Sequence, residues 1–422
     1  MGFQTGLSGL NASSKNLDVI GNNVANSSTV GFKTSQAQFA DVFAASLAGS
    51  GASQVGIGTR LANVSQQFTQ GNISVTNNPL DVAINGRGFF RLSDAGAISY
   101  TRNGQFQLDK DSYIVTNGGQ HLTGYQADST GSITGALGDL RIDLADQPPT
   151  ITSTATVGAN LDSNSAVITA AWVDPDPSAA APAPVLDPAS YNSSTSMTVY
   201  DSLGNSHVVS MYFAKTAANT WDVNMTMDGY GTAVGNPVIS GLAFTDQGVI
   251  DPATYTPTTI SFDLATINPD LGAQSPLDIS FDYGETTQFG SVFGVNTLSQ
   301  NGYASGRMAG FSIGSDGLVQ GRYTNGQTKT LGQVALANFA NPQGLQPLGD
   351  NQWSESPSSG QALVGGPGTA SLGLLQSAAT EDSNVDLTAE LVNMIVAQRA
   401  YQANAQTIKT QDAVLQTLVN LR

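Results

Sequence analysis

The sequence has no cysteine, two histidines and four glutamates, and only 11 % of its 422 residues are charged. Without cysteine, neither disulfides nor thiolate metal sites can form. His121 and His207 stand far apart without ligand-like neighbours, so both read as ordinary surface or hydrogen-bonded side chains. Neither lies near a plausible serine nucleophile, which leaves a catalytic triad without support. Glu285, Glu355, Glu381, Glu390 and the more numerous aspartates could in principle supply a glycosidase pair, but no spacing singles out two of them. Asp109-Lys110-Asp111 begins like a calcium loop, yet the later ligands and the glycine and glutamate positions do not follow. The glycine-rich GSGASQVGIG (49–58) has no strand before it and no clear helix after it, so it does not read as a phosphate cradle. The expectation is a chain that is not an enzyme, with no catalytic, cofactor or metal site.

Long apolar runs are missing too. None approaches the roughly 20 residues of a membrane span, so membrane insertion is not expected. The opening MGFQTGLSGLNASSK has neither a basic start nor a continuous apolar stretch, so it does not read as a cleaved signal peptide. Export, if it occurs, would need a signal-independent route.

The charge present is unevenly placed. The formal net charge is −17, and between Asp146 and Glu285 fifteen acids face one base, Lys215. The first 70 residues hold only Lys15, Asp18, Lys33, Asp41 and Arg60. A polyanionic middle repels phosphate backbones and anionic lipid, so nucleic acid is not an expected partner. The weakly charged ends suit burial against protein. At this length, two to four domains are expected.

Phe3, Leu7, Leu10, Ser14, Leu17, Gly21 and Val24 follow a 4-3-4-3 spacing, apolar except at Ser14 and Gly21. Gly2, Gly6, Gly9 and Gly21 each weaken such a helix by up to about 1 kcal/mol relative to alanine. From Leu374 to Arg422 there is neither glycine nor proline. There Leu387, Leu391, Met394, Tyr401, Ala405, Ile408, Leu415 and Val419 recur at heptad spacing, interrupted by Gln398 and Asp412. Ser383-Asn384-Val385-Asp386 resembles a capping box with Asp in place of Glu. Either helix alone would suit the core of one globular domain. Their positions at opposite ends, each beside a polar glycine-rich joint, instead suggest a paired terminal coiled coil with apolar surface left for other subunits.

The interior reads as β. Asn-Gly occurs at 85, 103, 117, 301 and 325, and the stretches 80–92 and 99–108 both fit hairpins. FQLDKDSYI (106–114) aligns with FSIGSDGLV (311–319), each a strand, a turn begun by Asp and a returning strand. Similar blocks on either side of the acidic segment suggest one β-domain in two pieces with a second inserted. The fold class expected is mixed and mainly β: a terminal helical coiled coil (1–30, 383–422), a joint (31–71, 356–382), a discontinuous β-domain (72–145, 286–355) and an acidic all-β outer insert (146–285). Hinges are expected at 48–58 and 356–368, and DPDPSAAAPAPVLDP (174–188) reads as a Pro/Ala-rich loop.

The motif ANSSTVGFK (25–33) after a heptad helix resembles the signature of bacterial flagellar axial proteins, the rod and hook family. YTRNGQFQLDKDSYIVTNGGQHLTGYQ (100–126), LGQVALANFANPQGLQPLGDNQWSESPSSGQALVGGPG (331–368) and SNVDLTAELVNMIVAQRAYQANAQTIKTQDAVLQTLVNL (383–421) resemble the family's later segments, in order. Ser112 departs from the glycine usual after the Asp turn, and Gly317 keeps it in the second copy. The length and the large insert resemble the hook branch of the family, with a distal rod subunit as the alternative. A secreted β-rich enzyme or adhesin would leave the paired heptads unexplained.

The resemblance implies a homopolymer of many copies, a hollow flexible tube that transmits motor torque from rod to filament. Its implied partners are a hook cap protein, the distal rod protein, a hook–filament junction protein and the type III export apparatus. Subunit-interface positions would be Leu7, Leu10, Leu17, Val24, Leu387, Leu391, Met394, Tyr401, Ile408 and Leu415, with Asn26, Thr29, Gly31, Phe32 and Lys33 as motif and joint. Gly31 should supply a positive φ, Phe32 should anchor the joint against a neighbour, and Lys33 should lie near solvent or a carboxylate.

Overall fold

The computed structural model describes residues 2–42, 56–175, 186–232, 237–252 and 255–420. Residues 48–55 of the expected first hinge and 176–185 of the Pro/Ala-rich loop lie outside these residues. The described chain is mainly β, with helices α1 (Gly2–Ala25), α2 (Leu264–Ile267) and α3 (Leu387–Asn420). It divides into two compact units, residues 1–144, 309–322 and 328–422 forming the first and 145–308 with 323–327 the second.

In the first unit α1 runs for 24 residues and α3 for 34, about 36 and 51 Å. Next to α1 lies an antiparallel hairpin, β1 (Ser35–Val42) with β2 (Gly58–Gln66). The remaining strands form a sheet of thirteen described strands and two separate two-stranded ribbons, Val82–Asn85 with Leu374–Ser377 and Ile73–Val75 with Ala379–Glu381. Thr328–Val334 pairs with His121–Ala127, and Leu336–Asn338 pairs with Phe89–Asp94, so the two sequence blocks meet in one sheet. Phe68, Phe89, Tyr100, Phe339 and Trp353 form an edge-to-face aromatic core with centroids 4.8–5.8 Å apart.

Two of the expected hairpins are not formed. Val82–Asn85 pairs with Leu374–Ser377 rather than with Phe89–Asp94. Val82, Ala83 and Ile84 are all fully buried, as an interior strand requires and a half-exposed hairpin strand does not. Asn103-Gly104 is a point of close approach: a Cβ on Gly104 would fall 1.7 Å from the Val82 carbonyl oxygen. The hairpin joining Phe89–Asp94 to Ala97–Thr101 turns at Ala95-Gly96 instead. Asn117-Gly118 and Asn325-Gly326 do connect paired strands. Both copies of the aligned repeat are strand-turn-strand, and Ser112 (φ 67°) adopts the left-handed backbone that Gly317 (φ 79°) has in the other copy. The first turn opens at Asp109, whose carboxylate accepts from the Asp111 and Tyr113 amides.

The second unit has two sheets. Ser193–Tyr200, Ser206–Ala217, Thr220–Met227 and Ile239–Ala243 make an antiparallel four-stranded sheet; a five-stranded mixed sheet is built around Thr154–Asp162. Alternate residues Val209, Met211 and Phe213, with Trp221, Val223 and Met225 on the next strand, turn into a shared apolar core that includes Val157, Phe262 and Phe281. The unit runs past residue 285: Gly294–Gln300 pairs with Thr154–Asp162, and Asn301-Gly302 lies within it. The expected 285/286 boundary therefore moves to about 308, because the returning strand completes the second unit's sheet.

The expected hinge at 356–368 is tied down. Ser356 Oγ donates to Gly344 O at 2.5 Å, Ser359 Oγ donates to Ser356 O, and Leu363–Gly365 pairs with Leu336–Asn338. Serine side chains here bond backbone that would otherwise be free.

Candidate functional site

The polar stretch NNVANSSTVGFK finishes α1 and makes the joint that follows it. Asn26 Nδ2 donates to Asn22 O, Ser27 Oγ to Val24 O, and Thr29 Oγ1 to Asn26 Oδ1, so these side chains satisfy the last turn. Asn23 exchanges two hydrogen bonds with the Ser35 backbone and fixes α1 to β1. Gly31 has φ 72°, its amide donates to Glu381 O, and a Cβ there would lie 2.6 Å from the Asn103 nitrogen. Only glycine fits both demands.

Phe32 and Lys33 are buried inside their own unit, rather than against a neighbour or solvent. Lys33 Nζ donates to Glu381 Oε1 at 2.6 Å and to Thr69 O at 2.8 Å. The Gly71 amide donates to the same carboxylate oxygen. Arg102 lies 3.5 Å from Glu381 Oε2, donates to Gly86 O and sits over the Phe89 ring. The side chains of Lys33 and Glu381 are wholly buried, so two cations share one anion out of water. Burial lowers the Lys33 pKa, and the Glu381 carboxylate opposes that shift. Asn384 extends the joint, accepting from Thr34 N and Oγ1 and donating to Gln67 O and Thr69 Oγ1. The cluster thus binds the end of α1, the strand region at 102 and the approach to α3.

The cap of α3 is Asp386 itself, whose carboxylate accepts from the Thr388 and Ala389 amides. Ser383 does not cap the helix; its Oγ accepts from Val385 N. The seam between α1 and α3 also differs from expectation. The α1 residues turned inward are Gly6, Ile20 and Asn23, fully buried, with Gly9, Ser13 and Asn16 half-buried. A Cβ on Gly6 would lie 3.1 Å from Ile408 Cγ1 and one on Gly9 2.7 Å from Asn404 Oδ1. On α3 the matching residues are Ala397, Asn404 and Ile408. The helices meet through small and polar residues because glycine lets their backbones approach closely.

The leucine stripes are consequently left outside. Leu7, Leu387, Leu391, Tyr401 and Leu415 are exposed, with Leu415 at 53 %; Leu10, Leu17, Val24, Met394 and Ile408 are half-buried. Val392, Ile395 and Val396 add 51–60 % exposed apolar side chains to α3. Exposed apolar side chains in this number are what a protein–protein contact would cover. Among the described residues no helix is long and apolar enough to cross a membrane.

Family models match in chain order: the flagella basal body rod protein over residues 3–33, the flagellar hook protein FlgE/F/G D1 domain over 83–160, the flagellar basal body protein FlaE D2 domain over 160–303, and the flagellar basal body rod FlgEFG protein C-terminal over 376–421. The flagellar hook protein FlgE of Salmonella typhimurium is 43 % identical over 425 residues, with all of both chains covered. This chain belongs to the flagellar hook protein FlgE family. The Escherichia coli K12 member is likewise 43 % identical over 440 residues, and that of Borreliella burgdorferi 31 % over 451, covering 99 % and 98 % of the two chains. The solved structure of the Helicobacter pylori flagellar hook protein FlgE2 superposes with a TM-score of 0.50 at 15 % identity, over 72 % of this chain and 99 % of that one, a likeness of fold.

Family membership makes the chain a structural component of the bacterial flagellar hook and disfavours the distal rod alternative. Arg102 and Glu381 complete the joint around Lys33, and no local sequence pattern brings them to it. Glu381 is one of only four glutamates, which was the available signal. His121 bonds Asp139 and stacks on Tyr113; His207 is held between Asp228 (2.7 Å) and Asp201 (3.5 Å).

Proposed function

We propose that copies of this chain polymerise through the outer faces of α1 and α3 into a hollow, flexible tube that works as a universal joint between rod and filament. The observation that carries this reading is the apolar stripe at Leu7, Leu387, Leu391, Val392, Ile395 and Leu415, exposed in the single chain. In the polymer, α1 and α3 act as a coiled-coil inner layer whose two helices pair through their glycine- and asparagine-bearing faces. Both helices are expected to fray in the free monomer and to order as their stripes are covered. The acidic second unit governs curvature through weak polar contacts between copies. The partners in this reading are a hook cap protein, the distal rod protein, a hook–filament junction protein and a type III export apparatus that delivers the chain without a cleaved signal peptide.

The test is to concentrate the purified chain with a precipitating salt and image it. Tubes are expected; a chain that stays monomeric at every concentration, with residues 3–24 and 387–417 firmly protected from amide exchange, overturns the proposal. Deleting the second unit, cut at 145 and 308 where its sheet is complete, should leave tubes that form but stay straight. Loss of assembly in that variant would refute the assigned division of labour.

A further inference from the structure

Between α1, the first half of α3 and the β1–β2 hairpin lies a cleft of about 750 Å³. Its lining includes Asn16, Ile20, Asn23, Glu390 and Ala397, and it contains no lysine or arginine. Glu390 is the single charged side chain there. Among the described residues its Oε2 is shielded from water and accepts no hydrogen bond. A carboxylate oxygen in that position lacks the cation that would offset its desolvation.

The same helix carries a candidate for that role. Arg399 is nine residues further along, about 180° around α3 and about 13.5 Å along its axis from Glu390. Glu390, Ala397 and Asn404, seven residues apart, share the face turned to α1, which the 4 % exposure of Ala397 establishes. Arg399 is exposed on the opposite face, beside Val392 and Ile395. One side of α3 thus offers an unpaired acid in a cleft; the other offers an arginine framed by bare apolar side chains.

We propose that, in the hook polymer, Arg399 of one copy enters the α1–α3 cleft of the next and pairs with its Glu390. The inference rests on the polymer reading above. Complementary groups on opposite faces of one element make a heterologous, head-to-tail contact, which propagates as an open array rather than closing as a dimer. Arginine suits the site because its planar fork can grip a carboxylate with two hydrogen bonds. Lys409, about 100° around the helix from Glu390, lies on neither face.

The test uses the absence of native cysteine. The full-length double variant Glu390→Cys/Arg399→Cys is polymerised, treated with a short bis-maleimide and run on a denaturing gel. The two positions within one chain lie on opposite sides of a rigid helix, so bridging them requires two copies. A ladder of covalent oligomers is expected, with each single variant giving no species beyond a dimer. A double variant that forms wild-type tubes without a ladder overturns the pairing and leaves the polymer reading standing; wild-type protein that never forms tubes fails the polymer reading itself. Charge reversal provides a second readout if the cysteine variant does not assemble. Arg399→Glu should raise the critical concentration about tenfold or more, and Glu390→Arg/Arg399→Glu should restore it. Failure of the double reversal to restore assembly, with the monomer melting as wild type, refutes the proposal.

Discussion

Glu381→Gln should damage this protein far more than Lys33→Met. The wild-type cluster places one anion against two cations, 2.6 Å from Lys33 and 3.5 Å from Arg102. At an effective dielectric near 20 those separations correspond to about 6 and about 5 kcal/mol of attraction, largely offset by desolvation. Removing the carboxylate charge leaves Lys33 and Arg102 buried beside each other with nothing to balance them, at a net cost of about 3–5 kcal/mol. Removing the Lys33 charge leaves a neutral Arg102–Glu381 pair, with the Thr69 carbonyl and one carboxylate hydrogen bond forgone, at about 1–3 kcal/mol. The assay is urea unfolding read by amide exchange at residues 82–84 and 89–92, which belong to the first unit alone. Equal costs for the two variants, or a Glu381→Gln cost below about 1 kcal/mol, would refute the claim that the cluster carries an excess of buried positive charge. The pH dependence follows with a definite sign. The folded pKa of Lys33 is below the ordinary 10.5, so the unfolded chain binds the extra proton, and stability rises with pH between the folded value and 10.5. Lys33→Met should abolish that rise.

Other outcomes can be checked on the same protein. Gly31→Ala forces a Cβ into a positive-φ site against the Asn103 nitrogen and should cost about 1–3 kcal/mol in a thermal melt. Ser112→Gly relieves a left-handed serine and should stabilise the first unit by up to about 1 kcal/mol, since the flexibility of glycine offsets part of the gain. His207 is held by Asp228 and Asp201, and the hydrogen bond to Asp228 is the chief cause of its raised pKa. Its stabilising contribution is therefore complete below about pH 6.5 and lost as the pH climbs through the higher folded value. Unfolding of the second unit followed by Trp221 fluorescence should show this loss, and His207→Gln should flatten it.

Long-period features were legible in the sequence, and pairing partners were not. Heptad spacing located α1 and α3, and the glycine of ANSSTVGFK located the positive-φ stop. The seam was misjudged because apolar periodicity identifies a face that seeks cover without saying whether its own chain supplies it. Here Gly6 and Gly9 permit the close approach, and the leucines remain outside. Asn-Gly misled at residues 85 and 103 because strand 82–85 finds its partner at 374–377, almost three hundred residues away. No local pattern carries that information. Ala95-Gly96 escaped notice because alanine is an uncommon residue at positive φ. The joint cluster was half visible: Lys33 was expected near solvent or a carboxylate, but Arg102 and Glu381 are isolated charges whose meeting depends on the tertiary fold.

Two strand pairs of the first unit join segments about three hundred residues apart in sequence. Ile73–Val75 pairs with Ala379–Glu381, Val82–Asn85 pairs with Leu374–Ser377, and Lys33 waits for Glu381. A chain emerging from its amino end cannot seal this unit until nearly nine-tenths of it has appeared. Any shortened product that stops before residue 374 keeps an unpaired interior strand and two uncompensated cations. Copies that stop short of residue 374 are therefore expected to be cut by protease faster than full-length ones.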